Sequence, residues 1–198
     1  MYRWRKLNQD DQATLLAWRQ QLNRPWHSPP HFVEGPGRFH LTAACYEHAE
    51  IVGASTERMG TFSVDLLRTL DEAGAETHAW CVLPNHYHLL VDVPDLKQVM
   101  SALGQLHGRC SFAWNGEDGQ RGRKVWCAPA DREIRGDAHF WATLNYIHHN
   151  PVKHGWAKGW QDWPYSSASD YLAAVGREEA VRVWKSYPVL DYGAGWDD

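Results

Sequence analysis

An α+β fold, an antiparallel sheet covered by helices, is what this sequence predicts over residues 37–171. Three observations carry the prediction. Three apolar runs of strand length, "RFHLTAACY" (38–46), "THAWCVL" (77–83) and "HYHLLVDV" (86–93), are bounded by polar or turn-forming residues. Between and after them, residues 62–74, 96–114 and 137–150 carry apolar side chains at the helical period. Pro84-Asn85 separates the second and third strands by the length of a tight hairpin turn. With a fourth strand at 125–134, the order is β-α-β-β-α-β followed by a helix that opens at Asp137. That is the order of a ferredoxin-like sheet.

The elements follow in chain order. Residues 8–22, "NQDDQATLLAWRQQL", predict a short helix capped by Asp10 and Asp11, with Leu15, Trp18 and Leu22 in step. "RPWHSPPHFVEGPG" is a Pro/Gly-rich connector, so residues 1–36 form an N-terminal extension to the domain at 37–171. In "FSVDLLRTLDEAG" (62–74), Val64, Leu67 and Leu70 share a face and Gly74 ends the helix. Val99, Leu103 and Leu106 set the face of the helix at 96–114, and "NGEDGQRGRK" (115–124) is a polar loop. "VWCAPADREI" (125–134) is a strand bent at Pro129. The helix at 137–150 stops before Pro151, because a residue preceding proline disfavours helical ψ. From about Tyr171, residues 172–198 are one more helix and an acidic tail.

Composition limits the possible functions. The chain has 198 residues and 43% hydrophobic residues, enough for one domain with a real core. No apolar run is long enough to span a bilayer, and the first residues are too polar for a secretory signal. Cys45, Cys81, Cys110 and Cys127 form no C-x-x-C pair, so a cytoplasmic, reduced protein is expected. The net charge is −4, but residues 96–160 hold nine Lys/Arg against five Asp/Glu. Trp114, Trp126, Trp141, Trp156 and Trp160 lie in that same basic segment. Basic groups among aromatics suit phosphates and bases, and equally suit a Trp-rich core beside a solvated face.

The most informative stretch is "LPNHYHLL". On a strand, residues i and i+2 share a face, so His86 and His88 present two imidazoles together while Tyr87 points away. Such a pair is either the wet face of a strand or half of a transition-metal site. If it were wet, alanine would be tolerated at both positions. The helix at 137–150 offers a matching polar stripe, His139, Thr143, Tyr146 and Asn150, beside the apolar Phe140, Leu144 and Ile147. Tyr146 and Asn150 are one turn apart. They could meet a common ligand, or Asn150 could simply cap the helix before Pro151.

Five separated segments, "LPNHYHLL", "SALGQLHGRCSFAWN", "GQRGRKVW", "NYIHHNPVKHGW" and "WPYSSASDY", resemble the REP-associated tyrosine transposases in content and order. That family belongs to the HUH single-strand nucleases, and the resemblance runs from about Gly37 to Tyr171. It implies a ferredoxin-like fold, His86 and His88 as metal ligands, Tyr146 as nucleophile and Asn150 as a third ligand. It also implies Mg²⁺ or Mn²⁺ as cofactor, and single-stranded or hairpin DNA as the partner of a monomer or homodimer. "CAPADREI" and Ala43-Ala44 depart from the family pattern, which bears on DNA target choice.

The implied chemistry is transesterification. A tyrosine displaces the 3′-oxygen of a phosphodiester and retains the 5′-phosphate, and a free 3′-hydroxyl can reverse the step. Because free tyrosine is mostly neutral at pH 7, a cation beside the phosphate is needed. Arg121, Arg123 and Lys124 in the loop, with Arg109, are candidate phosphate contacts, and Trp126 is a candidate for base stacking or, as a strand residue, for the core. Two other functions are consistent with the residues: a DNA-binding protein of this fold without cleavage, and a metal-dependent hydrolase. The hydrolases that use H-x-H are barrels of about 250 residues, longer than this chain.

Overall fold

The computed structural model describes Asp10, Thr14 and residues 35–189. The expected N-terminal helix and connector, apart from Asp10 and Thr14, and the acidic tail lie outside the described residues. Four strands, β1 (Gly37–Ala44), β2 (Glu76–Val82), β3 (His86–Val93) and β4 (Ala130–Glu133), form one antiparallel sheet in the order β2-β3-β1-β4. The helices are α1 (Thr56–Glu72), α2 (Leu96–Glu117), α3 (Asp137–Lys153) and α4 (Ala168–Ser186). The β-α-β-β-α-β order and the ferredoxin-like sheet both stand.

Strand alternation divides the sheet into two unlike faces. Phe39, Leu41 and Ala43 of β1 and Tyr87, Leu89 and Val91 of β3 point to one side. There they pack on Phe62, Leu66 and Leu70 of α1 and Val99, Leu103 and Leu106 of α2. Each fully buried leucine contributes roughly 1.5–3 kcal/mol, so this side supplies most of the cohesion. The other side carries His40 of β1 and His86, His88 and Leu90 of β3, and α3 lies across it with Leu144, Tyr146 and Ile147. One face is thus a hydrocarbon core, and the other buries polar groups beneath a helix.

The helices follow local signals, with two departures from the sequence reading. Ser55 caps α1 by accepting from the Arg58 amide, and Asp95 caps α2 by accepting from Lys97 and Gln98. The buried face of α1 is Met59, Phe62, Ser63, Leu66, Thr69 and Leu70, whereas Val64 is 59% exposed. The Val64 stripe was misplaced because the helix begins six residues earlier than expected and the true stripe starts at Met59. The second departure concerns α3, which runs through Pro151 to Lys153 rather than stopping before it. Its stop is Gly155, at φ +74°: Trp156 donates to Pro151 and Gly155 to Val152, the paired bonds of a Schellman ending. Asn150 is therefore not the cap; that position is His154.

"WPYSSASDY" closes the open edge of the sheet. Val82 donates to the Tyr165 carbonyl and Ser167 to Trp80, with a bridge between Cys81 and Ser166. Pairing with β2, an edge strand, hides backbone groups that would otherwise invite another chain. The same segment holds α3, since the His148 ring lies 3.0 Å from the Ser167 hydroxyl. The helix beginning at Ala168, a few residues ahead of the expected Tyr171, returns over α3, where Asn145 donates to the Tyr187 carbonyl. No helix among the described residues is long and apolar enough to cross a membrane.

The hairpin that presents His86 is braced from behind. Gly53 donates to the Pro84 carbonyl, and a Cβ on Gly53 would sit 2.4 Å from the Pro84 Cβ. Neither side can yield easily, one being backbone and the other a proline ring. Gly53→Ala is expected to destabilise the fold by about 1–3 kcal/mol. Urea denaturation checks this; an unchanged midpoint would mean that the hairpin shifts without cost.

Candidate active site

His86 and His88 lie on the helix-covered face of β3 and are 3% and 0% exposed. The wet-strand alternative is thereby overturned: α3 roofs over both rings. Tyr146 (1% exposed) and Asn150 (0%) face them from α3. The Asn150 Oδ1 lies 3.1 Å from the His86 Nε2, and the Tyr146 ring meets the His88 ring edge-on at 5.2 Å between centroids. The structure therefore brings together Tyr146, His86, His88 and Asn150, four residues from two segments sixty positions apart. His139, the first member of the same polar stripe, instead accepts from the Arg135 amide at the helix start.

Three further residues complete the cluster. His40 of β1 places its Nε2 3.1 Å from the His88 Nδ1 and its ring 5.9 Å from that of Tyr146. His154, just past α3, packs edge-on against His86 at 5.0 Å, and the Lys153 ammonium lies over the Tyr146 ring at 5.2 Å. Sequence reasoning missed all three. His40 had a usable signal, because it falls at i+2 from Arg38 on a strand whose odd positions are apolar, and so had to face the same side as His88 if the strands were neighbours.

The donor set fits a divalent cation. Two imidazoles and an amide oxygen are ligands that Mn²⁺ accepts, with water completing the shell. Two cis ligands about 2.1 Å from an octahedral ion are about 3 Å apart, close to the separation of the His86 Nε2 and the Asn150 Oδ1. The Asn150 Nδ2 is buried without a hydrogen-bond partner, so no protein contact claims that end of the amide, which fits a side chain that serves a ligand.

Another group of possible ligands was not anticipated. Glu76, His78 and Asp92 place one ligand atom each within 4.8 Å of one another. They lie at the far end of β2 and β3 from His86. Both Asp92 oxygens are taken by the Arg38 guanidinium, at 2.6 and 2.8 Å, and the Glu76 side chain is 77% exposed. Arg38 holds the Asp92 carboxyl below its usual pKa, with help from His78. A cation there would have to displace a bidentate guanidinium, so this cluster reads as an ion-pair network.

The expected DNA contacts are scattered. Arg109 lies on α2, in a groove beside Thr69, Glu72 and Ala73 of the α1 region, across the sheet from His86. Trp126 is buried, with the His107 ring stacked at 4.3 Å and the Phe62 ring at 5.3 Å, so no base can stack on it. Arg123 is bound to Asp118 at 2.6 Å and to Asn115, and Arg58 shares Asp118, which brings that carboxyl down to about 2. Arg121 lies over the Phe112 ring and donates to its carbonyl. Lys124 lies over the Tyr46 ring, in the turn that also supports the hairpin.

These placements rank the loop cations. Reversing Lys124 should weaken binding to a DNA hairpin and flatten its salt dependence, since one phosphate contact accounts for about one unit of salt slope. Reversing Arg123 should mainly loosen the Asp118 network and lower thermal stability. Fluorescence anisotropy across a salt series separates them; equal affinity losses would refute this ranking.

A ferredoxin-like sheet with a buried histidine pair facing a helix-borne tyrosine and an amide defines a class of site. No family model matches the chain. It is 34% identical over 128 residues to a Haemophilus influenzae protein assigned to the REP-associated tyrosine transposases, covering 57% of this chain and 69% of that one. It is 31% identical over 98 residues to the REP-associated tyrosine transposase of Escherichia coli, covering 46% and 53%. A solved structure of a REP-associated tyrosine transposase bound to a REP hairpin superposes with a TM-score of 0.57. The identity there is 21%, with 73% of this chain and 84% of that one covered. The chain belongs to the REP-associated tyrosine transposase family.

Proposed function

We propose that this protein cuts and rejoins single-stranded DNA at hairpins of the REP type through a covalent 5′-phosphotyrosine on Tyr146, with the help of a divalent metal. The observation that carries this reading is the convergence of Tyr146, His86, His88 and Asn150 in one buried cluster. Family membership supports it, as does the fold shared with a relative whose structure contains a REP hairpin.

In this reading His86, His88 and Asn150 hold Mn²⁺ or Mg²⁺, which when bound polarises the phosphoryl oxygen and offsets charge on the phenolate. The Tyr146 oxygen forms a bond to phosphorus, the bond to the 3′-oxygen breaks, and the phenolic proton ends on the departing 3′-hydroxyl. The Lys153 ammonium, already over the Tyr146 ring, favours negative charge on that side chain. Because Tyr146 is 1% exposed, the scissile phosphate reaches it only when the roof formed by α3 opens or the ring swings out. Opening the roof would have to break the Asn145–Tyr187 bond that holds α3 to its returning partner α4.

The test is incubation with a single-stranded REP-type hairpin and Mn²⁺, followed by denaturing electrophoresis. A protein–DNA adduct that resists denaturation is the expected result. Hairpin binding without an adduct would favour a binding protein of this fold that does not cleave. Hydrolysis without an adduct would favour a water nucleophile.

A further inference from the structure

Asn85 sits in the hairpin beside the histidine pair. Its side-chain Nδ2 donates to the His48 carbonyl at 3.1 Å, and its backbone carbonyl accepts from Cys45 at 2.7 Å. That first bond orients the amide, because only the nitrogen end can donate to a carbonyl. The oxygen end then faces the His86 ring, with Oδ1 2.7 Å from Nδ1. Since Oδ1 can only accept, the His86 Nδ1 must carry a proton. In the neutral ring this leaves the lone pair on Nε2, the nitrogen aimed at Asn150.

We infer that Asn85 is a positioning residue that locks His86 in the Nδ1–H tautomer and so turns Nε2 into a ligand. The inference rests on the metal-dependent reading above. The Asn150 amide stands 3.1 Å from the His86 Nε2, close enough for the two to share a cation. The support behind Asn85 is unusual backbone. Glu47 and His48 both have positive φ, at 59° and 54°, an uncommon conformation for side-chain-bearing residues that persists where the surroundings enforce it. Those surroundings are the Cys45–Asn85 bond, the Tyr46–Val125 bond and Lys124 over the Tyr46 ring. The turn thus presents the His48 carbonyl to the Asn85 amide, and the amide oxygen to His86. A carbonyl partner on the outer nitrogen of a ligating imidazole fixes both its tautomer and its ring plane.

The test uses the full chain, metal-free, with ¹⁵N-labelled histidine. Long-range ¹H–¹⁵N spectra should show His86 protonated at Nδ1 before any metal is added. Asn85→Ala should shift His86 toward the Nε2–H form and weaken Mn²⁺ binding by about 10–100-fold, the usual cost of losing such a partner. Asn85→Gln, which can return an amide oxygen to the same nitrogen, should recover part of both. An Nε2–H ring in the unaltered protein overturns the inference, as does Asn85→Ala with tautomer and Mn²⁺ affinity unchanged. An Nδ1–H ring in a protein that binds no Mn²⁺ leaves the tautomer lock standing and removes the metal-dependent reading instead.

Discussion

Tyr146→Phe should form no covalent adduct with single-stranded hairpin DNA, a fall in rate of roughly 10⁴-fold or more, as for loss of a nucleophile elsewhere. Hairpin affinity and Mn²⁺ affinity should stay within about twofold, because the hydroxyl is the only group removed. The ring keeps its contacts with His40, His88 and Lys153. Stability should drop by no more than about 1 kcal/mol, the net worth of one hydrogen bond. Tyr87 is the natural control. It lies next to both histidines in sequence, but its hydroxyl meets the His107 ring at 3.1 Å on the opposite side of the sheet. Burial raises its pKa above the ordinary tyrosine value, and its place on the far face keeps it from the histidine pair. Tyr87→Phe should retain the adduct. Peptide mapping that placed the nucleotide on any tyrosine but Tyr146 would refute the assignment.

What could be read from the sequence was whatever depends on neighbours along the chain. Strand alternation put His86 and His88 on one face and Tyr87 on the other, and the structure agrees. Helical spacing put Tyr146 and Asn150 on one stripe, and that stripe faces the histidines. Nothing local could say that the stripe and the pair meet. Period and spacing also describe a solvated strand beside an amphipathic helix, and only the superposition of α3 on β3 separates the two. His40 was overlooked for the same reason, since its partnership with His88 requires β1 and β3 to be adjacent.

The errors have physical causes as well. The sequence marks Pro151 as a stop because a residue preceding proline disfavours helical ψ, yet α3 carries it inside its last turn and terminates at Gly155. Arg109 is a DNA candidate because its helix leads into the basic loop, which is silent on the side of the sheet it occupies. Of the two readings of Trp126, base stacking or core, the structure gives core. Trp126 is buried with the His107 and Phe62 rings stacked against it.

Substituting either histidine should be felt twice, in metal binding and in folding. His86→Ala or His88→Ala should weaken Mn²⁺ binding by roughly 100-fold or more, beyond the 10–100-fold typical of outer partners. Cleavage should be lost with it. Alanine would be harmless on a strand surface, but neither ring is on one. Removing His86 takes a hydrogen-bond partner from the part-buried Asn85 oxygen, and removing His88 takes one from the buried His40 ring. Losing one such hydrogen bond costs about 1 kcal/mol and the vacated ring space adds to it, so both variants should denature at lower urea concentration than the unaltered protein. Calorimetric titration with Mn²⁺ must therefore be run where each variant is folded. His78→Ala, in the ion-pair cluster at the other end of the strands, is the decisive comparison. It should leave Mn²⁺ affinity unchanged while loosening the Asp92 network. If His78→Ala abolishes binding and His86→Ala preserves it, the cation belongs to Glu76, His78 and Asp92, and the histidine pair beneath α3 is a structural feature of the fold.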